Sequence, residues 1–485
     1  MKKRFVALSL ALSMSAMLFA GCGGESEGEE KPSNTPTPAN QQGNDNSTPT
    51  QGGQNTPDVQ PDESALPPMT TENITLTYAC WGLAEKGERE ARDKQLAAFM
   101  DAYPNIKVEF VDLDPAAWED GLVGLAATGN LPDVFWVHSV TNAVANEWAL
   151  DVTDYYQNDP SAAEVYPSMV DAARISGKLY SMPAVMFPYL VFLNKTYFEN
   201  YNEPLPSYDW TLDDFKAIAE RITHPDEFYF GTSNPNYADY FPSQYNKGQS
   251  LRGWDGSEYH FDQTWIDAYN LRLDWIDDDV CEWESAEDKL RFLGDEGAWP
   301  PGYGRTAMHF DWSWTIAAFE DTYSSQTGNE WLYYPQPAGP TGQQMAIVDF
   351  SVIAASTKYP REAWELQKWT SWGEEGMLNR YEGYKEAGLT VVSRMPVSSN
   401  KAAWDVVKSF TDREDFHAVY DHLTDIVPNC SPVAPGFDQF TTWCNDNDIY
   451  GQLDRREIAP ADIAAEMTKK ANELKDEWVS QFGNR

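Results

Sequence analysis

Apolar and polar residues alternate along residues 74–137 in a pattern that predicts β-strands separated by α-helices. Ile74, Leu76 and Tyr78 alternate with threonines, which is typical of a half-buried strand. Further strands are predicted at 106–110 and 131–137. Between them, apolar residues recur at helical spacing, Leu96, Phe99, Met100 and Tyr103 in one helix and Trp118, Leu122 and Leu125 in the next. This β-α-β order predicts an α/β fold.

Three side chains that suit ligand binding come where these strands end. Trp81 follows the first strand, and Trp136 and His138 stand at the end of the third. Ligands of such sheets bind at the carboxyl ends of the strands, so we expect these residues near the site. A structural histidine satisfied by its neighbours is the alternative interpretation of His138.

Later apolar segments also run into aromatic residues. The extended run 184–193 carries Phe187 and Tyr189, and a short strand at 307–310 leads into four closely spaced residues, Asp311, Trp312, Ser313 and Trp314. Indole faces beside polar groups suit a sugar, because a pyranose has an apolar face that stacks on aromatic rings and hydroxyls that need fixed partners. The alternative is that both tryptophans pack in the core.

Two further helices show an amphipathic face. Their apolar residues are Ile266, Tyr269, Leu273 and Ile276 in one, and Ile463, Met467, Ala471, Leu474 and Trp478 in the other. The tract 229–265 has weak periodicity and many aromatic residues. We therefore treat it as loops and as a candidate lining of the ligand site.

The first 72 residues carry export signals in place of a core pattern. Lys2, Lys3 and Arg4 precede an apolar run that ends in Leu-Phe-Ala-Gly-Cys at Cys22, which predicts a signal peptide over 1–21 and a lipidated, palmitate-bearing Cys22. A plain secretory signal is the alternative. Residues 22–72 are rich in Gly, Ser, Thr, Pro and acidic side chains, so we predict a disordered tether.

Composition narrows the function classes. The formal net charge of -41 argues against nucleic acid and against a basic lipid-binding surface. Aromatic residues make up 14% of the chain, which favours carbohydrate. HExxH, GxSxG and P-loop patterns do not occur, and the GxGxxA match at 302–307 leads into a strand instead of a helix. We predict no cofactor and no zinc site.

Two features of the cysteine-containing C-terminal segment suggest further sites. Cys430 and Cys444 lie close in sequence in an exported chain, which predicts a disulfide between them. Residues 446–457 follow calcium-loop spacing in part, which makes Asp446, Asp448 and Glu457 weak calcium candidates. A solvated acidic turn is the alternative, since Tyr450 occupies a usual ligand position.

Four segments occur in an order that resembles the extracellular solute-binding proteins of family 1, which deliver sugars to ABC importers. They are GNLPDVFWV, GKLYSMPAVMFPYLVFLNK, DWTLDDFKAIAERI and GRTAMHFDWSW. The resemblance covers residues 73–482. It implies a two-lobed, periplasmic-binding-protein-like fold with a multi-strand hinge of type II. One lobe would comprise 73–187 plus 343–396, and the other 188–342 plus 397–482.

The resemblance also implies site residues. Trp314 matches the sugar-stacking tryptophan of maltodextrin-binding members, and the segment that ends in Trp136, His138 and Ser139 resembles one with polar sugar contacts. Where those members have an Asp-Arg pair this chain has Ser139-Val140, so maltodextrin itself is not expected. The remaining candidates are Phe187, at the position of a family glutamate, Phe437 or Trp443 after a Pro-Asn segment, and Asp349 as a hydroxyl acceptor or a hinge salt bridge.

These observations predict a lipid-anchored, monomeric binding protein on the outer face of the cell membrane. We expect it to capture a carbohydrate, specifically an oligosaccharide, by lobe closure and to present it to the transmembrane subunits of an ABC permease. Two alternatives stay open. An anchored glycoside hydrolase also needs aromatic platforms, and a binder of polyamines or other small solutes could use the same fold.

Overall fold

The structure is a computed structural model, and it describes residues 66–233, 240–281 and 285–483. The β-strands of this part are β1 Ile74–Ala79, β2 Ile106–Phe110, β3 Val134–Val137, β4 Arg174–Ile175, β5 Lys178–Leu179, β6 Met182–Asn194, β7 Phe230–Thr232, β8 Thr306–Trp312, β9 Trp331–Pro335, β10 Gln344–Ile353 and β11 Ile426–Pro428. Strands and helices alternate from β1 to β3.

The α-helices of the described residues are α1 Glu88–Ala102, α2 Trp118–Ala127, α3 Val140–Ala145, α4 Thr153–Asn158, α5 Pro167–Ala172, α6 Lys195–Asn200, α7 Leu212–Arg221, α8 Phe241–Tyr245, α9 Gln263–Asp277, α10 Ala286–Leu293, α11 Ile316–Ala318, α12 Ser324–Thr327, α13 Pro360–Thr370, α14 Glu374–Glu386, α15 Lys401–Lys408, α16 Glu414–His422, α17 Phe437–Asp446, α18 Ile449–Asp454 and α19 Pro460–Phe482. None of them is long and apolar enough to cross a membrane.

One mixed sheet organises the molecule. Its strand order is β2-β1-β3-β10-β6-β8-β7, with β11 added beside β10 and β9 beside β6. Strands β1, β2 and β3 are parallel, whereas β10 and β6 run antiparallel to their neighbours in the middle of the sheet. The predicted β-α-β start of an α/β fold is therefore confirmed.

Strand β6 connects the two halves of this sheet. Its residues from Met182 to Pro188 pair with β10, and those from Tyr189 to Asn194 pair with β8 and β9. All thirteen residues are buried, which is why the segment reads as a continuous apolar run. The change of partner lies between Pro188 and Tyr189, one residue after the predicted lobe boundary at 187/188, while the lobe limits themselves stay a prediction.

The aromatic tract 229–265 departs from its interpretation as a cleft lining. Trp254, Tyr259, Phe261 and Trp265 are buried together with the C-terminal helices α17, α18 and α19 in a second hydrophobic cluster. The tract shows no helical or strand periodicity, because its aromatic residues lie in short turns and a 3₁₀ segment. Their rings pack against helices that are distant in sequence. Residues 234–239 lie outside the described part of the chain.

The folded region begins earlier than predicted. Residues 66–72 belong to the predicted tether, yet they pack against α13: Nε of Arg361 donates to the carbonyl of Pro67 at 2.9 Å. Nδ2 of Asn105 donates to the carbonyl of Thr70 at 2.9 Å. These hydrogen bonds hold a segment whose composition alone indicates disorder. Cys22 and the predicted signal peptide lie outside the described residues.

The predicted disulfide is wrong for this structure. Cys430 and Cys444 are both buried and unbridged in the second hydrophobic cluster. The thiol of Cys430 donates to the carbonyl of Leu251 at 3.3 Å, whereas Cys444 lies on α17. Burial raises the pKa of Cys430 to about 12 and that of Cys444 to about 11. Both therefore pack as small apolar side chains with inert thiols.

The calcium-like spacing does not form a calcium loop. Asp446 ends α17 and Asp448 directly precedes α18, so the segment forms parts of two helices instead of one continuous calcium loop. Arg455 donates to Asp448 at 2.7 Å and to Glu457 at 2.8 Å, which supplies the positive charge that a cation would bring. In the described residues no acidic, histidine or cysteine cluster suited to a metal occurs.

Candidate functional site

The antiparallel pairing of β6 and β10 creates a half-open face in the middle of the sheet. On β10, Ile347 and Asp349 are half-buried while the residues between and beside them are buried. Ile347 lies opposite Phe187 and Asp349 lies opposite Val185. Because directly opposite residues of antiparallel strands share a face, Phe187, Ile347 and Asp349 form one surface, which we call the cleft floor.

Trp81 forms one end of this surface. Its indole Nε1 donates to Oδ2 of Asp349 at 3.1 Å. The imidazole of His138 stacks on the indole with ring centroids 4.3 Å apart and planes within 7°. Trp118 and Trp136 contact it edge-on at 5.3 and 5.1 Å. The ring is thus fixed by a hydrogen bond and by contacts on several sides.

Trp136 does not reach the cleft. It is fully buried in β3, beneath Trp81, and the guanidinium of Arg92 lies 5.1 Å from the centre of its ring. The prediction that Trp136 contacts ligand is therefore wrong, because a central strand covered on both faces leaves its side chains no exposure. Its role is to support the ring of Trp81.

His138 and Ser139 have different surroundings. The side chain of His138 is 54% exposed, and its Nδ1 lies 3.2 Å from Oε1 of Glu119. It is the exposed ring at this end of the cleft. Ser139 is the N-cap of α3, since its Oγ accepts from the backbone N–H of Asn142 at 3.2 Å. Ser139 thus satisfies a helix terminus.

Trp314 forms the other end of the surface. Strand β8 ends at Trp312, and the 3₁₀ turn that follows leaves Trp314 40% exposed. Its ring contacts Phe187 with centroids 5.1 Å apart at an interplanar angle of 67°. An edge contact of this kind leaves a large part of the indole face uncovered. The geometry suits a stacking platform.

Behind Trp314 lies a layer of buried aromatic rings. Trp312 is buried and its ring centroid lies 4.4 Å from that of Tyr189, which is its cross-strand partner. Tyr240 packs on Tyr189 at 4.9 Å. Asp311 accepts from the backbone N–H of Trp312 at 2.7 Å and lies 3.3 Å from Nε2 of His309. Trp312, Tyr189 and Asp311 therefore support the platform instead of presenting a face.

The electrostatics of the cleft floor depend on an arginine that sequence reasoning missed. Burial raises the pKa of Asp349 to about 6, although the charge of Arg394 and the hydrogen bond from Trp81 oppose that rise. Arg394 is itself buried, donates to Glu85 at 2.7 Å and lies 5.4 Å from the ring centre of Phe187. A Cβ on Gly82, which has a positive φ, would collide with its guanidinium.

Phe437 and Trp443, two predicted ligand contacts, belong to the second hydrophobic cluster. Phe437 is buried, with the guanidinium of Arg252 4.3 Å from its ring centre. Trp443 stacks on Phe440 at 5.7 Å. Helix α17 directs both rings toward the second hydrophobic cluster. The neighbouring residue Asp438 points elsewhere and accepts from Nδ2 of Asn142 at 3.2 Å.

Solved structures share this fold along most of their length. An ABC substrate-binding protein of Listeria monocytogenes in complex with cycloalternan is 20% identical, covers 83% of this chain and 99% of its own, and superposes with a TM-score of 0.62. A sugar transporter from Rhizobium etli in an open conformation is 18% identical, with 83% and 100% covered and a TM-score of 0.63. The sugar-binding protein MalE of Xanthomonas citri is 15% identical, with 84% and 99% covered and a TM-score of 0.61.

These likenesses confirm the predicted periplasmic-binding-protein-like fold. A comparison with curated protein sequences finds no match. The family model described as bacterial extracellular solute-binding protein matches residues 85–370, more than half of the chain. The matched range contains the cleft floor and Trp314, whereas Trp81 lies four residues before it. The protein belongs to the bacterial extracellular solute-binding protein family.

Proposed function

We propose that this protein is the lipid-anchored receptor of a sugar ABC importer and that it captures a neutral oligosaccharide between its two predicted lobes. The observation that carries the proposal is the pairing of an exposed indole with a half-buried carboxylate along one surface. Trp314 offers an apolar face to one pyranose, and Asp349 offers an acceptor to hydroxyls farther along. The sugar leaves chemically unchanged.

The charges around the cleft floor favour a neutral ligand over a polyamine. Asp349 lies in the field of the buried Arg394, and Glu85 is bound to the same guanidinium. Glu119 is in contact with His138. A polycation would have to approach the guanidinium of Arg394, or displace Arg394 and His138 from the carboxylates that they contact. Either event costs free energy in a partly desolvated site. Hydroxyl groups can add to the same network without that cost.

The strand arrangement supports a closing motion of the two predicted lobes. β6 and β10 pair along the middle of the sheet and β6 continues into the second half, so bending of these strands would move Trp314 relative to Trp81. We propose that sugar binding stabilises the closed arrangement and that the permease recognises it. The hinge then converts ligand contacts into a signal for transport.

A ligand screen tests this function. The purified folded region is titrated calorimetrically with neutral linear oligosaccharides, with spermidine and with monosaccharides, and the sugar is analysed by mass spectrometry after incubation. We expect micromolar or tighter binding of an oligosaccharide that is recovered intact. Shortened sugar would show a hydrolase, and binding of spermidine alone would show a polyamine receptor. Either result contradicts the proposal.

The lipid anchor is tested at Cys22. Because the thiol of this residue is the expected acceptor of the lipid, we expect Cys22→Ala to release the protein into the medium of the native host. Wild type should stay with the membrane fraction. The control is Cys80→Ala, which removes a thiol from the buried core and leaves the export signal intact. A Cys22→Ala protein that fractionates like wild type would contradict the anchor.

A further inference from the structure

A buried serine directly precedes the exposed indole of Trp314. Both residues lie in the 3₁₀ turn Ser313–Thr315, which we call the platform turn. Ser313 is fully buried, whereas Trp314 is 40% exposed. The hydroxyl of Ser313 donates to the carbonyl of Ser393 at 2.5 Å, across 80 residues of sequence. The platform turn is therefore bound to a distant segment, residues 393–395, which we call the anchor segment.

The anchor segment is attached to the cleft floor. The backbone N–H of Met395 donates to the carbonyl of Met186 in β6 at 3.0 Å, and the N–H of Met186 donates back at 3.3 Å. The guanidinium of Arg394 lies 5.4 Å from the ring centre of Phe187. Phe187 is also the floor residue whose ring contacts Trp314. The anchor segment and the exposed indole therefore contact the same residue of the cleft floor.

We infer that Ser313 is a positioning residue, which holds the indole of Trp314 against the cleft floor by binding the platform turn to the anchor segment. This inference rests on the proposed function, because it gives Ser313 a part in presenting a ring to the sugar. By the predicted limits, Ser313 and Ser393 belong to different lobes. Their hydrogen bond therefore fixes a ring of one predicted lobe relative to the strands that connect both.

The local structure explains why the platform turn needs an anchor. A 3₁₀ turn has poorer hydrogen-bond geometry than an α-helix, so a single turn constrains its residues weakly. Inside the platform turn, the hydroxyl of Thr315 donates to the carbonyl of Trp312 at 2.9 Å. That bond closes the turn but does not set its direction relative to the cleft floor. The hydrogen bond from Ser313 to the anchor segment sets that direction.

The ring contacts of Trp314 constrain it less than this hydrogen bond does. Its ring centroid lies 5.1 Å from that of Phe187 at 67°, and 5.9 Å from that of Trp312 at 36°. Contacts between aromatic rings tolerate a range of angles, whereas a short hydrogen bond is directional. A platform whose backbone is already fixed loses less conformational freedom when a sugar stacks on it. Loss of the Ser313 hydroxyl should therefore weaken binding without removing a ligand contact.

A second contact between the predicted lobes keeps the effect of such a loss local. The backbone N–H of Val140 donates to the carbonyl of Pro432 at 2.7 Å, and no side-chain substitution removes that bond. Alanine also fills nearly the same buried volume as serine. We therefore expect Ser313→Ala to change the position of Trp314 and to leave the fold intact.

The position of the ring can be tested without ligand. The protein is labelled with 5-fluorotryptophan, and the fluorine NMR resonances of two rings are assigned with Trp314→Phe and Trp136→Phe. In Ser313→Ala we expect the Trp314 resonance to move by more than its linewidth, because its backbone anchor is lost. The resonance of the buried Trp136 should stay in place. An unmoved Trp314 resonance would overturn the inference.

Ser250→Ala is the matched control. Ser250 is also buried, and its hydroxyl donates to the carbonyl of Pro428 at 2.7 Å, across 178 residues of sequence. The substitution removes the same group and the same kind of bond at a place outside the cleft floor and the platform turn. We expect the Trp314 resonance and the Kd to stay as in wild type. A loss of affinity equal to that of Ser313→Ala would show a general effect of a lost buried hydroxyl and would overturn the inference.

A double-mutant cycle tests whether Ser313 acts through Trp314. Calorimetry should show that Ser313→Ala weakens the best oligosaccharide from the screen by about fivefold, the effect of one hydrogen bond. In the Trp314→Ala background the same change should alter Kd by less than about twofold, because the ring to be positioned is absent. Equal losses in both backgrounds would overturn the inference. If Ser313→Ala does not fold, Ser313→Cys replaces it, since it keeps the size of the side chain with only a weak donor.

Failure of this inference can be distinguished from failure of the proposed function. A wild-type protein that binds no oligosaccharide contradicts the proposed function, and the fluorine spectrum still reports whether Ser313 holds the ring. In a protein that binds sugar, a Trp314 resonance or an affinity that does not respond to Ser313→Ala contradicts the inference alone.

Discussion

The two ends of the cleft hold their tryptophans in opposite ways. Trp81 is bound to Asp349, stacked by His138 and contacted edge-on by two further indoles. Trp314 has an edge contact with Phe187 and remains 40% exposed. The first end is a hydrogen-bonded indole with an imidazole stacked on it, and the second is a partly exposed indole that contacts Phe187 and Trp312. A ligand bound along the cleft floor would therefore meet different chemistry at each end.

This difference shows what an aromatic residue at a strand end can and cannot indicate. Trp136 lies in an apolar strand and Trp81 and Trp314 follow apolar strands, yet among these three only Trp314 is a largely exposed ring. The three rings differ in exposure because different side chains, contributed by other segments of the chain, cover each of them. The predictions below test the division between supporting and presenting tryptophans, starting with the largest effect.

Replacing the buried support should act on stability. Trp136→Ala removes a fully buried indole from the centre of the sheet, so we expect the free energy of unfolding to fall by about 3–5 kcal/mol. Urea denaturation measures the loss, and calorimetry at low temperature measures binding by the folded fraction. We expect that fraction to bind, because Trp136 does not face ligand. An unchanged midpoint with lost binding would reverse the assignment.

Replacing the presented ring should act on affinity. Trp314→Ala removes a stacking face, so we expect a loss of about 2 kcal/mol, roughly thirtyfold in Kd. Because the ring is 40% exposed, the denaturation midpoint should shift far less than in the Trp136 variant. Trp314→Phe is the control and should recover part of the affinity. Normal binding by a strongly destabilised Trp314→Ala protein would place this ring in the core.

The sheet could be predicted because its signals are local. Alternation in β1, the apolar run of β6 and the apolar strand before Trp312 each follow from neighbouring residues. The order of the four motifs along the chain then indicates the family. These features can be predicted without knowing which distant residues are in contact, because the periodicity and composition of each segment already indicate burial.

The contacts of the cleft could not be predicted in this way. Trp81 and Asp349 are 268 residues apart, and Arg394 and Glu85 are 309 apart. Proximity in sequence is equally misleading for Cys430 and Cys444, because Cys430 precedes α17 and donates to Leu251, whereas Cys444 is buried near the end of that helix. A polar contact between distant segments produces no periodic pattern in the sequence, so it cannot be recognised there. The roles of Trp314 and Asp349 toward ligand stay predictions.

The carboxylate that joins the two ends should make stability depend on pH. The pKa of Asp349 is about 6 in the folded protein and close to 4 in the unfolded chain. The folded state therefore binds more protons between these values, so this group's contribution to stability falls as pH rises from 4 to 6 and is then constant. Partial exposure limits the effect to about 1–2 kcal/mol.

Asp349→Asn removes this titration. We expect the variant to gain stability relative to wild type as pH rises from 4 to 7, with the two proteins closest at pH 4. Urea midpoints at four pH values measure the difference. The charges of Arg394, His138 and Glu85 also affect the pKa of this carboxyl. The test therefore compares the urea midpoints of the variant with those of wild type at each pH. Parallel profiles would contradict a raised pKa for Asp349.

The smallest effect is expected at the exposed ring of the supporting end. Glu119→Gln removes the charge beside His138, but the two side chains are 42% and 54% exposed, and a pair so accessible to water contributes between zero and about 1 kcal/mol. Trp81 holds the imidazole by stacking in either case. We therefore expect an unchanged denaturation midpoint and a Kd within about threefold of wild type. His138→Ala is the sharper companion, because it removes the exposed ring itself and should weaken binding more than Glu119→Gln does. If both variants bind like wild type, ligand does not reach this end of the cleft, and the contrast between the two ends reduces to Trp314 alone.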